Sequence, residues 1–250
     1  MDIQPIHGHP ALRIDDTVVI ADLHIGVESH LGSKGFHLPS RTSVMRDDVL
    51  RIADDASRLV VLGDVKDSVP GSTKQEYREI PDFFQAMLER FNVVDVVIGN
   101  HDTQIENFLP RHVNIYPSTG LKIGDVGLVH GHTWPSADVM MSKTLITAHN
   151  HPTVMFRDGI GKTTTEPCWF RAAFREIVPG YVKHPAELIM IPSFNRLLGG
   201  SPVNVIEEKF LGPLMSSDVI DMDEAQIFLL DGIFLGKRSD LLVKGKYNKE

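Results

Sequence analysis

Five short apolar runs, each followed at once by residues that can bind a metal ion, constrain this sequence more than any other feature. The runs are Thr17–Ala21, Leu59–Leu62, Val93–Ile98, Val126–Val129 and Leu145–Thr147. Continuous runs of this length, rich in valine and isoleucine, are typical of strands buried on both faces of a sheet. Apolar residues repeat at helical spacing within residues 45–56 and 80–91, between the first three runs. Strands that alternate with helices predict βαβ units and a parallel sheet.

The second half of the sequence is richer in strand patterns than in helix patterns. Strand patterns occur at Thr153–Arg157, Trp169–Ile177, Leu188–Ile191 and Gln226–Leu230. The polar segment Asp158–Pro167 is expected to be a loop. With 250 residues and no internal repeat or long linker, we predict one domain over residues 1–250. We expect it to be a mixed β-sandwich covered by helices, with a frayed charged tail at residues 244–250.

Composition excludes several classes of protein. The 42% apolar and 23% charged content is that of a globular protein and excludes a disordered or fibrous chain. The apolar runs fall short of the ~18 residues of a membrane span and no signal peptide precedes them, so we expect a cytoplasmic protein with no membrane partner. Cys168 is the only cysteine, which rules out an intrachain disulfide and a thiolate cluster. The net charge of −8 argues against a protein that coats nucleic acid.

The polar residues that follow the five runs form the candidate site. They are Asp22-Leu23-His24, Gly63-Asp64, Gly99-Asn100-His101-Asp102, His130-Gly131-His132 and Ala148-His149-Asn150-His151. Ligand sites in open α/β sheets lie at the carboxyl ends of the strands, so five such ends would bring these side chains to one rim. One polar residue at a strand end is usually there to form a turn. Turn formation alone is a poor explanation for metal-binding residue types at all five strand ends. Asp22 and His24 are two residues apart, which would place both on one face of an extended strand.

The set and its order resemble the calcineurin-like metallophosphoesterase superfamily. That superfamily carries Asp-x-His, Gly-Asp, Gly-Asn-His-Asp/Glu, a later His and finally Gly-His-x-His, and here only Ala148 departs, at a position that supplies no ligand. Residues 21–28, 35–39, 130–132 and 193–200 further resemble archaeal SbcD-related phosphoesterases and phosphoesterases associated with DNA ligase. The resemblance implies an α/β fold in which two mixed sheets form a four-layer α-β-β-α sandwich.

The resemblance also implies a centre with two divalent metal ions. Its ligand sets would be Asp22, His24, Asp64 and His151 for one ion, and Asp64, Asn100, His130 and His149 for the other. Asp64 would bridge the two ions. Two ions ~3.5–4 Å apart can hold the attacking and leaving oxygens of an in-line displacement. Mixed nitrogen and oxygen ligands favour Mn²⁺, and Fe, Co, Ni or Zn would also fit.

Two residues beside the ligands are candidates for proton chemistry. The resemblance implies that His101 gives a hydrogen bond or a proton to the leaving oxygen. Asp102 either orients the His101 imidazole or caps the N-terminus of a helix, and both roles can hold together. Asp67 either supports a ligand or is solvated.

Three further residues near the motifs have open roles. His132 either contacts a ligand or the substrate, or is an ordinary loop histidine. Trp134 is expected in the core rather than stacked on a base. Lys162 is expected to be a solvated loop lysine rather than a phosphate ligand.

We expect a metal-dependent phosphoric ester hydrolase that cleaves phosphodiester bonds, with single-stranded nucleic acid as a candidate substrate. The alternatives are a small-molecule or cyclic-nucleotide phosphodiesterase, and a non-catalytic scaffold of the same fold. Every candidate ligand and catalytic side chain of the motifs is present, and a non-catalytic scaffold would not need the complete set. The family of protein Ser/Thr phosphatases is disfavoured because Ser68 and Val69, not Arg-Gly, follow Asp67. The sequence does not indicate an oligomeric state.

Overall fold

The structure, a computed structural model, describes residues 1–175 and 178–244 and places two β-sheets face to face. The first sheet has the strand order β1 (Ile3–Pro5), β2 (Leu12–Ile14), β3 (Thr17–Ile20), β4 (Arg58–Leu62), β5 (Val93–Val97) and β6 (Asn114–Tyr116). Strands β3 to β6 are parallel, and β1 and β2 extend the sheet in antiparallel pairing. The alternation of strand and helix in the first half of the sequence therefore produces the predicted parallel sheet.

Helices cover the outer face of the first sheet. The first three helices are α1 (Val27–Ser33), α2 (Thr42–Ile52) and α3 (Lys74–Arg90), and a fourth, α4 (Ala137–Met140), packs on the second sheet. Helix α3 begins with a capping box, in which Thr73 accepts a hydrogen bond from the Glu76 backbone and Glu76 accepts one from the Thr73 backbone. Val49 of α2 and Phe84 of α3 pack in one buried cluster with residues of β3, β4 and β5.

The second sheet is mixed. Its strands are β7 (Leu121–Ile123), β8 (Val126–Val129), β9 (Thr144–Thr147), β10 (Pro152–Arg157), β11 (Thr163–Ala173), β12 (Glu187–Met190), β13 (Ser201–Pro202), β14 (Gln226–Leu229) and β15 (Phe234–Lys237). Their order is β13-β10-β11-β12-β9-β8-β7, with β14 paired to β11 and β15 paired to β14. Strands β8, β9 and β12 are parallel. Helix α4 and irregular segments within residues 203–225 cover the outer face of this sheet.

Each central strand is apolar on both faces because each face is buried. In β4, Leu59 and Val61 pack toward the helices, whereas Val60 and Leu62 pack toward the second sheet. Trp169 of β11 contributes to the same cluster between the sheets. Side chains alternate between the two faces of a strand, so burial of both faces explains the continuous valine and isoleucine runs.

The predicted four-layer sandwich with two mixed sheets is confirmed, and its fourth layer is one short helix with irregular segments. The expected loop Asp158–Pro167 is wrong in its second half, because residues 163–167 pair with β10 as the start of β11. The expected strand Trp169–Ile177 ends at Ala173, and its residues 176–177 lie outside the described residues. Most of the expected frayed tail, residues 245–250, also lies outside them. Among the described residues, no helix combines the length and the apolar character needed to cross a membrane.

The single cysteine provides a test of the outer core. Cys168 is fully buried beneath the second sheet's outer layer, and burial raises the pKa of its thiol well above the usual range. Since the thiolate is the reactive form, we expect DTNB to leave Cys168 unmodified in the native protein and to modify it in concentrated guanidinium chloride. The released thionitrobenzoate measures both reactions. The exposed variant Ser239→Cys should release one equivalent under native conditions, and rapid native labelling of Cys168 itself would contradict this packing.

Candidate metal centre

The carboxyl ends of strands from both sheets meet at one edge of the sandwich. The Asp22, Asp64 and Asn100 motifs follow β3, β4 and β5 of the first sheet, and the His130 and His149 motifs follow β8 and β9 of the second. The Nε2 atom of His130 lies 3.0 Å from Oδ1 of Asn100. The two sheets therefore contribute to the same site, as the strand-end pattern predicts.

The loops that carry the candidate ligands have an unusual backbone. Positive φ angles occur at Asp22 (56°), His24 (40°), Asp64 (50°), His149 (69°) and His151 (44°). Asp22 and His24 do come together at one candidate metal position, but not from an extended strand, because β3 ends at Ile20 and both residues have left-handed backbone. Such residues cost about 1–3 kcal/mol each and cluster at functional sites, where the surrounding structure holds them.

The first group of candidate ligands consists of Asp22, His24, Asp64 and His151. Nε2 of His151 lies 3.3 Å from Oδ1 of Asp22, and Nε2 of His24 lies 3.4 Å from Oδ2 of Asp64. Both Asp22 oxygens and the Nε2 atoms of His24 and His151 are buried without a hydrogen-bond partner among the described residues. Buried polar atoms without a partner are costly and need an explanation. A cation between them would satisfy all four atoms.

The second group consists of Asp64, Asn100, His130 and His149. Nε2 of His130 lies 3.2 Å from Nδ1 of His149 and 3.4 Å from Oδ2 of Asp64, besides its 3.0 Å approach to Asn100. Ligands bound at ~2.1 Å in tetrahedral or octahedral geometry stand ~3.0–3.4 Å from one another. The separations in the second group therefore fit the ligand shell of one metal ion.

Asp64 belongs to both groups through a single oxygen. Its Oδ2 is 3.4 Å from Nε2 of His24 and 3.4 Å from Nε2 of His130. Its Oδ1 accepts a hydrogen bond of 2.8 Å from the backbone of His101, which fixes the rotation of the carboxylate. A Cβ atom at Gly99 would lie 2.3 Å from this Oδ1, so the turn needs glycine at that position.

Three imidazoles are oriented by hydrogen bonds from their second ring nitrogen. Nδ1 of His130 donates to the Leu62 carbonyl at 2.8 Å, and Nδ1 of His24 donates to Asp67 at 3.2 Å. Nδ1 of His151 lies 3.4 Å from the Gly199 carbonyl. A proton held on Nδ1 leaves Nε2 free to bind a metal ion, which is the usual arrangement for histidine ligands. The sequence leaves the role of Asp67 open, and in the structure its carboxylate orients the His24 ring.

The pocket attracts positive charge. Burial alone would lower the pKa of His24 and His130, but hydrogen bonds and charge from Asp64 raise them to about 10 and about 9. Burial would raise the pKa of Asp64, but the same two imidazoles lower it far below its usual range. Burial and the charge of His130 lower the pKa of His149 to about 4. The positive charge that Asp64 draws to His24 and His130 is a charge that a divalent cation would supply in place of their protons, so the residues fit a metal centre.

His101 lines the pocket beside these groups without belonging to the two sets. Its Nδ1 donates to the Asp67 carbonyl at 2.5 Å, and its ring stands 4.7 Å from that of His24. The Nε2 atom is therefore the one left to exchange a proton.

The expected roles of Asp102 are not the ones that the structure shows. Its side chain accepts hydrogen bonds from the backbones of Gly99 and Val65, both at 2.8 Å, and from Lys66 at 3.3 Å. No hydrogen bond joins it to the His101 ring among the described residues, and Gln104, not Asp102, stands at the N-terminus of the next helical turn. Asp102 thus ties the turn after β5 to the loop after β4, and it positions Asp64 rather than His101.

Two asparagines that sequence reasoning left without a role hold the rim of the site. Asn195 donates a 2.8 Å hydrogen bond to the carbonyl of Leu23, the residue between Asp22 and His24. Asn150 exchanges hydrogen bonds of 2.7 and 3.1 Å with the backbone of Leu211, which lines the metal pocket. The only sequence signal for Asn195 was its place in the segment that carries the family resemblance.

The remaining expectations have mixed outcomes. His132 packs its ring 5.3 Å from that of His130, and its Nδ1 is buried without a partner among the described residues. Trp134 is 42% exposed, so its expected place in the core is wrong, and its ring lies 6.3 Å from that of Tyr181. Lys162 lies exposed in the turn between β10 and β11, as expected of a solvated loop lysine.

Comparison with solved structures finds a nuclease with the same architecture. The Pseudomonas putida nuclease MPE aligns with a TM-score of 0.55 and 17% sequence identity, covering 92% of this chain and 98% of that chain. The phosphoesterase Yfce from E. coli aligns with a TM-score of 0.40 and 14% identity, covering 88% and 97%. No curated protein matches the sequence significantly. The likeness to the nuclease shows that the two chains share a fold.

The family profile of calcineurin-like phosphoesterases matches residues 16–181. That range is more than half of the chain, and it contains every candidate ligand from Asp22 to His151. Membership implies a metal-dependent hydrolase of phosphoesters, and the clusters of metal-binding side chains agree with it. This chain therefore belongs to the calcineurin-like phosphoesterase family.

Proposed function

We propose that this chain is a phosphodiesterase that uses two divalent metal ions bridged by Asp64. One ion would be held by Asp22, His24, Asp64 and His151, and the other by Asp64, Asn100, His130 and His149. The observation that carries the proposal is the position of Asp64 Oδ2, at 3.4 Å from an imidazole nitrogen of each group. When bound, the two ions supply positive charge for the phosphate and a nucleophile at neutral pH.

The chain's own residues divide the remaining work. Asn100 offers a neutral amide oxygen, so the site retains positive charge to bind a phosphate. His101 holds a proton on Nε2 for the leaving oxygen, while the Asp67 carbonyl fixes its ring through Nδ1. Asp102 holds the turn that carries Asn100, and Asn195 holds the loop that carries Asp22 and His24. We propose Mn²⁺ as the metal because carboxylate, amide and imidazole ligands together suit it.

The proposed substrate is single-stranded nucleic acid. The similar fold of a nuclease supports it, and so does an open pocket of ≈ 380 Å³ over the candidate ligands. A small phosphodiester is the second candidate, which the net charge of −8 favours because it opposes a long polyanion. A non-catalytic scaffold is disfavoured, since it has no need of a complete ligand set.

The bridging role of Asp64 can be tested by metal analysis. We expect about two ions per chain after reconstitution with Mn²⁺, and Asp64→Ala should lower occupancy at both positions because only a bridging ligand serves both. His149→Ala should lose about one ion. Elemental analysis by mass spectrometry measures the content. Asp54→Ala is the matched control, since Asp54 has the same left-handed backbone (φ 44°) in an exposed turn and belongs to neither ligand group. Loss of a single ion from Asp64→Ala would contradict bridging, and a reconstituted wild type without metal would contradict the proposal.

The proton-donor role of His101 predicts a dependence on the leaving group. We expect His101→Ala to retain its metal and to lower kcat on a diester with a poor leaving group by ~10²–10⁴-fold, the usual range for general acid catalysis. A nitrophenyl diester needs less protonation and should lose less. Steady-state kinetics on both esters, with metal analysis of the same samples, measure the difference. His112→Ala, in an exposed turn, is the control. Equal losses on both esters, or loss of metal, would make His101 a binding residue or a ligand instead.

A further inference from the structure

A second cavity opens beside the metal pocket and shares a wall with it. The side cavity has a volume of ≈ 600 Å³, within the ~300–1,000 Å³ typical of small-molecule sites. His151, Gly199 and Gly200 line both spaces. The side cavity therefore lies next to the metal pocket, on the side of His151.

The shared wall is held in place from within the protein. A Cβ atom at Gly200 would lie 2.1 Å from the His151 carbonyl oxygen, so this backbone is packed directly against a candidate ligand. Gly199 differs, because a Cβ atom there would meet nothing within 4 Å. Gly199 is exposed and lines both cavities, so a side chain added there would enter the open space beside them.

The polar groups of the side cavity match a nucleoside better than a chain of phosphates. Oγ1 of Thr153 is buried there without a hydrogen-bond partner among the described residues. Glu166 and Asp231 offer acceptors, and Arg196 offers guanidinium donors beyond the one that binds the Gly8 carbonyl at 3.0 Å. A lining with two carboxylates and one guanidinium repels a polyanion. A nucleobase carries both donors and acceptors on its edges and no charge.

We propose that the side cavity binds the nucleoside attached to the scissile phosphate, with Arg196 and Thr153 as its hydrogen-bond partners. The inference rests on the proposed function, because it places the phosphate of the same substrate at the candidate metal centre. It assigns substrate selection to residues 153–200, next to the ligand His151. It also offers a protein of net charge −8 a way to recognise nucleic acid, since binding of one nucleoside adds to the contacts made with its phosphate.

Three esters with the same leaving group test the proposal. Bis(p-nitrophenyl) phosphate carries no nucleoside, whereas the p-nitrophenyl esters of thymidine 5′- and 3′-phosphate carry one. We expect wild type to have a higher kcat/KM on at least one thymidine ester than on bis(p-nitrophenyl) phosphate. The preference ratio is kcat/KM on the preferred thymidine ester divided by kcat/KM on bis(p-nitrophenyl) phosphate. Arg196→Ala should lower this ratio about tenfold or more, as removal of a charged hydrogen-bond donor does. Thr153→Val should lower it less, and Gly199→Leu, which fills the open space, should lower it most.

Arg111→Ala is the matched control, because Arg111 is an exposed arginine outside both cavities. It should leave the ratio at the wild-type value. A wild type that does not prefer either thymidine ester, or an Arg196→Ala variant with an unchanged ratio, would overturn the proposal. An equal loss on both esters in Gly199→Leu would also count against it.

A binding measurement separates this inference from the proposed function. Calorimetric titration with thymidine 5′-phosphate should show binding to wild type that Arg196→Ala weakens about tenfold. Equal affinities would overturn the side-cavity proposal even if both esters are hydrolysed. Binding that depends on Arg196 in a protein that hydrolyses no ester would contradict the phosphodiesterase function alone.

Discussion

One buried carboxylate, that of Asp64, links the two halves of the molecule. Its Oδ2 contacts His24 from a loop of the first sheet and His130 from a loop of the second, at 3.4 Å in both cases. Burial penalises the ionised carboxylate, and only positive charge on both sides keeps the pKa of Asp64 low. The face-to-face packing of the sheets is what brings those two imidazoles to one oxygen.

The surroundings of Asp64 leave little room for other arrangements. Asp102 accepts hydrogen bonds from Gly99 and Val65, which joins the turn after β5 to the loop that carries Asp64. Burial and the nearby charge of Asp64 raise the pKa of Asp102. A Cβ atom at Gly63 would lie 2.6 Å from Nδ1 of His130. These hydrogen bonds and close contacts hold the Asp64 carboxylate in one position. A ligand that bridges two metal ions needs such precise placement.

The sequence predicts the centre of this fold well and its margins less well. Strands such as β4 are buried on both faces, so their apolar runs are unbroken and their ends are marked by polar motifs. The start of β11 escaped prediction because residues 163–167 are polar, and only pairing with β10 makes them a strand. The exposure of Trp134 and the contacts of Asp102 depend on distant segments, which local patterns do not report. Asn195 likewise acts across more than 170 residues of chain.

The strained loops show why those distant segments matter. Left-handed backbone at Asp22, His24 and Asp64 costs about 1–3 kcal/mol per residue. Hydrogen bonds between the loops offset it, from Asp22 N to the Gly63 carbonyl at 3.1 Å and from His24 N to the Asp64 carbonyl at 2.8 Å. Asn195 adds a further bond on the opposite side of the same loop. The protein's own hydrogen bonds therefore support the geometry of the candidate ligands, and part of that support lies beyond residue 181, where the family match ends.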